Sequence, residues 1–243
     1  MTNIMRDADA SNLKSTAVIP VRAGSKRVSG KNIREFKGQP LLVWSIKAAM
    51  VCPQIDEIIV TTDDPRAAEI AEDYPVTILD RPSRLASDMA STFDVLRHVI
   101  LEQGGELQVQ PDALVLLQAT SPLRERNLIS NSLQRFAATR FPDRLLELNA
   151  LKLFSGTVHS DDWNPDYPEA TRSQDIPETY FPSGRIFIYN CDTTIREGDP
   201  EGRRCSYVLG DYATNINIDA EQDFEKLDFV YSRYEETYKY LLD

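Results

Sequence analysis

Two rhythms of apolar and polar positions alternate over about the first 135 residues. Unbroken apolar or β-branched runs at Ala17–Val21, Ile58–Thr62, Val76–Leu79 and Ala113–Leu117 predict strands, and the all-apolar Ala113–Leu117 predicts burial on both faces of a parallel sheet. Between them the apolar positions recur at helical spacing. One helix opens at Pro40 and runs through Leu42, Ile46 and Ala49, and a second starts at Pro65. A third follows a weak capping box of Ser91 and Asp94 and carries Val95, Val99 and Leu101. A fourth, capped by Asn127, carries Leu133 and Phe136. This β-α order predicts an α/β fold with a mostly parallel, twisted sheet flanked by helices. Ligands then belong beyond the carboxyl ends of the strands.

The rhythm breaks over residues 139–184, where prolines and aromatic-rich turns surround two short strand candidates, Leu145–Leu148 and Phe154–Val158. That stretch reads as a small insertion for substrate or subunit contact within one domain spanning 16–243. Alternation returns at Arg185–Tyr189, Ser206–Leu209 and Asn215–Asp219. An amphipathic helix from Glu221 then buries Phe224, Leu227, Val230, Tyr231 and Tyr234. Residues 1–15 are polar and read as a disordered lead-in without the apolar core of a signal peptide. No internal repeat is visible.

Composition narrows the function classes. The 243 residues, 42% hydrophobic and 27% charged, suit one globular α/β domain. Acidic residues outnumber basic ones, 38 to 27, for a net charge of −11, which opposes binding to nucleic acid or an anionic membrane. No run approaches the roughly 18 apolar residues of a membrane span. Cys52, Cys191 and Cys205 are too scattered for a disulfide framework or a zinc knuckle, consistent with a cytoplasmic protein.

Against that acidic background, Arg22, Lys26, Arg27 and Lys31 share one loop with Gly24 and Gly30, directly after the first strand. Glycine lets backbone N–H groups approach an anion, and the cations supply charge and a guanidinium fork for phosphate oxygens. A polyanion binds here. A Walker-type phosphate loop fits poorly: five residues separate the glycines instead of four, and Asn32 stands where a magnesium-binding hydroxyl belongs. The dinucleotide fingerprint G-x-G-x-x-G is absent.

The ordered motifs carry a family resemblance. Arg22-Ala23-Gly24-Ser25-Lys26, four residues, then Lys31-Asn32, then Gly38-Gln39-Pro40-Leu41, resembles the N-terminal signature of the acylneuraminate (sialic acid) cytidylyltransferases, the CMP-nonulosonic acid synthetases. Thr61-Thr62-Asp63, Arg81-Pro82 with Leu85-Ala86-Ser87-Asp88, Leu117 to Arg124, and Asn215 to Asp219 follow in the family's order. The resemblance implies a Rossmann-like nucleotidyltransferase fold and transfer of CMP from CTP to the anomeric hydroxyl of an acidic sugar, with release of pyrophosphate. It implies that Arg22 and Lys31 grip the triphosphate and that Asn32 orients the nucleotide. Arg81 with Leu85, Ala86 and Ser87 would read cytosine, and Gln118, Thr120, Ser121 and Arg124 would line the sugar side, Arg124 facing the carboxylate. Arg172 and Gln174 correspond to a segment that touches the sugar or a partner subunit. Mg²⁺ would be held by Asp219 and Asn217, and the active form would be a homodimer.

The match breaks in three places. Asn217 replaces the first acid of the family's late pair, so the amide supplies an oxygen but no charge. Ser183-Gly184-Arg185 departs from the family's N-G-A, and Leu145–Asn149 replaces its usual strand, which puts the identity of the sugar in question. Two alternatives stay open: a cytidylyltransferase for Kdo or another sugar derivative, and a catalytically degenerate nucleotide-sugar-binding protein. His98 and His159 read as structural.

Overall fold

The computed structural model describes residues 13–24, 27–87, 89–103, 111–193 and 204–242. In chain order its strands are β1 (Ser15–Val21), β2 (Glu35–Phe36), β3 (Gln39–Pro40), β4 (Glu57–Thr62), β5 (Thr77–Asp80), β6 (Ala113–Leu116), β7 (Arg144–Leu151), β8 (Gly156–His159), β9 (Asp162–Pro165), β10 (Thr179–Asn190) and β11 (Cys205–Leu209). The helices used below are α1 (Leu41–Met50), α2 (Pro65–Glu72), α3 (Ser83–Ala86), α4 (Thr92–Gln103), α5 (Leu128–Ala138) and α6 (Gln222–Arg233).

Seven strands form the main sheet in the order β11-β7-β10-β6-β1-β4-β5. β1 lies parallel to β4 and β6, β4 to β5, and β7 to β11. Only β10 runs against its neighbours, β6 and β7. The mostly parallel α/β sheet expected from the alternation is what forms.

The unbroken apolar runs divide by residue parity, because successive strand side chains point to opposite faces. On β1, Ala17, Ile19 and Val21 join the large core with α1, α2, α5 and α6, whereas Val18 joins Leu96, Val99 and Ile100 of α4 on the other face. On β6, Val115 and Leu117 face the first core, and Leu114 and Leu116 face the second. Trp44 of α1 is fully buried, tilted on Phe36 at 5.3 Å and edge-on to Tyr231 of α6 at 5.7 Å. That aromatic trio ties the β2–β3 hairpin and the last long helix to the first. It holds near the sheet the segment that follows the cationic loop.

Helix starts follow local chemistry. The Asp64 side chain accepts from the Arg66 N–H and Pro65 occupies the first helical position of α2. The Ser91 hydroxyl accepts from the Asp94 N–H at 3.0 Å while the Asp94 carboxylate accepts from Ser91, so the capping box forms before α4. Asn127 precedes α5 but makes no side-chain cap.

Three expectations are corrected. The region 139–184 is not one insertion, because β7 and the first half of β10 belong to the main sheet; 152–178 leave it, carrying the small β8–β9 hairpin. The Phe154–Val158 candidate does form a strand, as β8 at Gly156–His159, with Phe154 and Val158 exposed. Order begins before residue 16, with Leu13 and Ser15 buried and Ser15 opening β1, while residues 1–12 lie outside the described residues. Asn215–Asp219 is not a strand; it is an extended connection after a 3-10 turn at Tyr212–Thr214. Its backbone leaves the β-ladder because Ile218 N–H donates to the Thr120 carbonyl at 2.8 Å, fixing it across the sheet end instead.

Candidate active site

At the carboxyl ends of β1, β5 and β6 a cleft of about 570 Å³ opens, lined among others by Arg22, Arg27, Lys31, Asn32, Arg81, Ser87, Gln118, Thr120, Asn217 and Asp219. Four cations and one carboxylate in that wall make it locally positive on a protein of net charge −11. Such a cleft concentrates anions, because low-dielectric walls focus the field.

The cationic loop owes its shape to one glycine and one buried valine. Gly30 sits at φ +61°, where a side chain is disfavoured, and its carbonyl accepts from Ile33 N–H at 3.0 Å to close a 3-10 turn at Lys31–Ile33. Val28 is buried and anchors the loop; its carbonyl accepts from Lys31 N–H at 3.3 Å. A single 3-10 turn follows Lys31, not the α-helix a Walker loop requires. Ser25 and Lys26 lie outside the described residues, as does Asp88.

The Lys31 ammonium spans the cleft. It donates to the Ile218 carbonyl at 2.7 Å and to the Asp219 carboxylate at 3.1 Å. Arg27 is 3.9 Å from the same carboxylate and largely exposed. The other Asp219 oxygen accepts from the Asn217 amide at 3.3 Å, and Ser121 donates to the Asn217 oxygen at 3.4 Å. Asp223 supports the connection from behind, accepting the backbone N–H groups of Asp219 at 2.9 Å and Ala220 at 2.8 Å. Burial works to raise the Asp223 pKa. Lys226 and those two N–H groups outweigh it and hold the carboxyl below its ordinary value.

Arg81 is buried at the opposite wall. Its Nη2 donates to the Thr61 carbonyl at 2.7 Å, while Nε has no hydrogen-bond partner among the described residues. Burial pulls its pKa down to about 10, Asp63 partly offsetting this and Arg22 reinforcing it, so it stays cationic at neutral pH. Arg81 therefore brings a fixed positive charge to the cleft wall.

The structure thus gathers Arg22, Lys31, Asn32, Arg81, Ser87, Gln118, Thr120, Asn217 and Asp219 at one cleft. Ala86 and Ser121 sit just behind it, Ser121 fully buried and reaching it through Asn217. Arg124 does not face it. The side chain is fully buried outside the cleft wall and donates to the Arg185 carbonyl, the Ser45 hydroxyl and the Gln118 carbonyl, so it is not presented to a sugar carboxylate there. Arg172 and Gln174 are exposed on the 152–178 segment and do not line the cleft; Arg172 is paired with Asp175 at 2.6 Å. His98 is mostly buried, its Nε2 3.4 Å from the Asp80 carbonyl. Sequence reading missed Asp223, and also Glu125 and Glu147, which pair with Arg185 beneath the Gln118 turn. The acid in the first turn of α6 could have signalled Asp223; nothing local signals the glutamates.

The family model for Cytidylyltransferase matches residues 16–162, the stretch that contributes most of this wall. The chain belongs to the cytidylyltransferase family. This cytidylyltransferase-family chain is 29% identical over 219 residues to an N-acylneuraminate cytidylyltransferase of Escherichia coli O18:K1:H7, covering 87% of itself and 51% of that protein. It is 28% identical over 232 residues to a pseudaminic acid cytidylyltransferase of Campylobacter jejuni, covering 90% of itself and 97% of that protein. The chain therefore spans about half the length of the N-acylneuraminate enzymes it matches and nearly all of the pseudaminic acid one. A solved CMP:2-keto-3-deoxy-manno-octonic acid synthetase complexed with CTP superposes with a TM-score of 0.69 at 20% identity, over 90% of this chain and 99% of that one, a likeness of fold.

The residues present fit a magnesium ion only in company. Among the described residues no three acids, histidines or cysteines cluster, and Asp219 is the one carboxylate in the cleft wall. Asp219 and the Asn217 oxygen offer two hard donors, and Mg²⁺ commonly completes its six positions with waters and substrate phosphates. A metal carried in by a triphosphate fits; one held by protein alone does not. Among the described residues no helix is long and apolar enough to cross a membrane.

Proposed function

We propose that this chain transfers CMP from CTP to the anomeric hydroxyl of a nonulosonic acid and releases pyrophosphate. The observation that carries this reading is the Lys31 bridge, which brings the cationic loop and Asp219 to one positive cleft. The names of the relatives above support the sugar class. In the reaction the anomeric oxygen bonds the α-phosphorus as its proton passes to solvent, and the bond to the bridging oxygen of the β-phosphate breaks. Arg22, Arg27 and Lys31 neutralise the phosphate oxygens, and Asn32 and Arg81 fix the nucleoside; the nucleophile's approach is set by Gln118 and Thr120. Asp219 and the Asn217 oxygen would hold Mg²⁺ together with the phosphates, and the ion would supply further charge neutralisation when bound.

The active form in this reading is a cytoplasmic homodimer. The exposed Val158 and Trp163 of the β8–β9 hairpin support an interface there. Pyrophosphate release from CTP, Mg²⁺ and a panel of nonulosonic acids tests the function, with the product identified by mass. Silence from folded protein across the panel sinks it, and a CMP-Kdo product moves it to the Kdo branch.

Asn217 favours one second reading, a protein that binds CTP without turning it over. Its amide already donates to Asp219, leaving one charge at the site. In that case Asn217→Asp restores turnover to an inactive wild type. Free turnover by the wild type removes this reading.

A further inference from the structure

Directly beneath the Gln118–Ser121 turn lies a group of four charges, three of them buried and Glu125 partly exposed, that the nucleotide chemistry does not use. Arg185 donates through Nε to Glu147 at 2.7 Å, pairs again with Glu147 through Nη2, and reaches both oxygens of Glu125 through Nη1 at 2.9 Å. Both side chains of the Arg185–Glu147 pair are almost fully buried. Arg124 completes the group without touching a carboxylate. It donates to the Arg185 carbonyl at 2.8 Å, the Ser45 hydroxyl at 3.0 Å and the Gln118 carbonyl at 2.9 Å.

These contacts converge on one end of the cleft. Gly184, at φ +82° in the irregular stretch of β10, passes so near that an added Cβ would lie 3.2 Å from Ser121 Oγ and 3.5 Å from Gln118 Oε1. Arg185 N–H donates to Ser183 Oγ, closing that bend. Ser121 continues the chain of contacts to Asn217, and Glu125 accepts from Thr214 at 3.4 Å, just before the connection that carries Asn217 and Asp219. Arg81, at the other wall, is held separately by the Thr61 carbonyl.

We infer that Arg124 and Arg185 are positioning residues for the sugar acid: their buried network with Glu125 and Glu147 fixes Gln118 and the Gly184 bend, and so sets acceptor affinity independently of CTP affinity. The inference rests on the function proposed above. Only a guanidinium meets three acceptors on three separate segments, α1, the 118 turn and β10, from one plane; an ammonium is a point donor and cannot span them. Breaking one member of a buried charge group leaves its partner uncompensated, so the network has one low-energy arrangement.

The test is steady-state kinetics of Arg124→Lys and Ser45→Ala, with CTP and acceptor varied separately, alongside calorimetric binding of CTP. Ser45→Ala removes one support of the Gln118 carbonyl and of Arg124 with little change in volume, so it decides the matter should Arg124→Lys not fold. Displacement of a positioned group by about 1 Å costs up to ~100-fold, so the acceptor KM rises about tenfold in Arg124→Lys and about threefold in Ser45→Ala. The CTP KM and Kd stay within about twofold in both. A merely structural role lowers the melting temperature and leaves both KM values unchanged; that result, or an equal rise in both, overturns the inference. A folded wild type that releases no pyrophosphate with any sugar acid overturns the functional reading itself, and this inference with it.

Discussion

Lys31→Met separates the two duties of the ammonium that crosses the cleft. The substitution keeps the unbranched stem, one atom shorter, and removes its bonds to the Ile218 carbonyl at 2.7 Å and to Asp219 at 3.1 Å. The Asp219 side chain is half exposed and that of Lys31 17% exposed, so screening holds the ion pair near the surface value of about 0.5 kcal/mol. The charged hydrogen bond to the carbonyl, more enclosed, contributes about 1.5 kcal/mol. Together the loss is about 2 kcal/mol, which for a chain of this size lowers the melting temperature by about 4–8 °C. The catalytic loss is larger. Removing one donor aimed at developing phosphate charge costs about 100- to 1,000-fold, roughly 3–4 kcal/mol of transition-state stabilisation. Thermal melting by circular dichroism reads the first effect, and pyrophosphate release well below the melting point reads the second. A variant that melts early yet keeps kcat/KM within threefold of wild type refutes the phosphate role and leaves Lys31 a strut.

Asp219→Ala should abolish the magnesium-dependent rate while the far-ultraviolet spectrum and melting temperature stay near wild type, since its own contacts are half exposed; a collapse of the melt would make the residue structural. Gly184→Ala should destabilise by about 1–2 kcal/mol, because φ +82° strains any L side chain and its Cβ crowds Ser121; an unchanged denaturant midpoint would show that the bend relaxes freely. Acid should weaken the fold through two carboxylates whose folded pKa values lie low, Asp64 through its hydrogen bond from Arg66 and Asp223 through Lys226 and two backbone N–H groups that overcome its burial. Both bind protons less readily folded than unfolded. Their stabilisation is therefore present above about pH 4 and is lost as pH falls through the folded values. Asp64→Asn with Asp223→Asn should flatten the decline in melting temperature between about pH 5 and 2, and an equally steep decline would remove these two acids as its cause.

The sequence by itself determined the parallel core and the cationic loop. Runs such as Ala113–Leu117 can be buried on both faces only inside a covered sheet, and a cation-rich glycine loop after a buried strand must emerge at the sheet's carboxyl edge. Those are local or periodic facts, and periodicity survives in a one-dimensional string. The fate of Arg124 does not: its three acceptors come from residues 45, 118 and 185, so only packing reveals that a residue expected to face substrate is locked beneath it. The same holds for Asn215–Asp219, whose alternation reads as a strand until the Thr120 carbonyl captures Ile218 and carries the segment across the cleft. Tertiary structure decided these points because a buried polar group takes whichever partner spares it desolvation, and that partner lies far away along the chain.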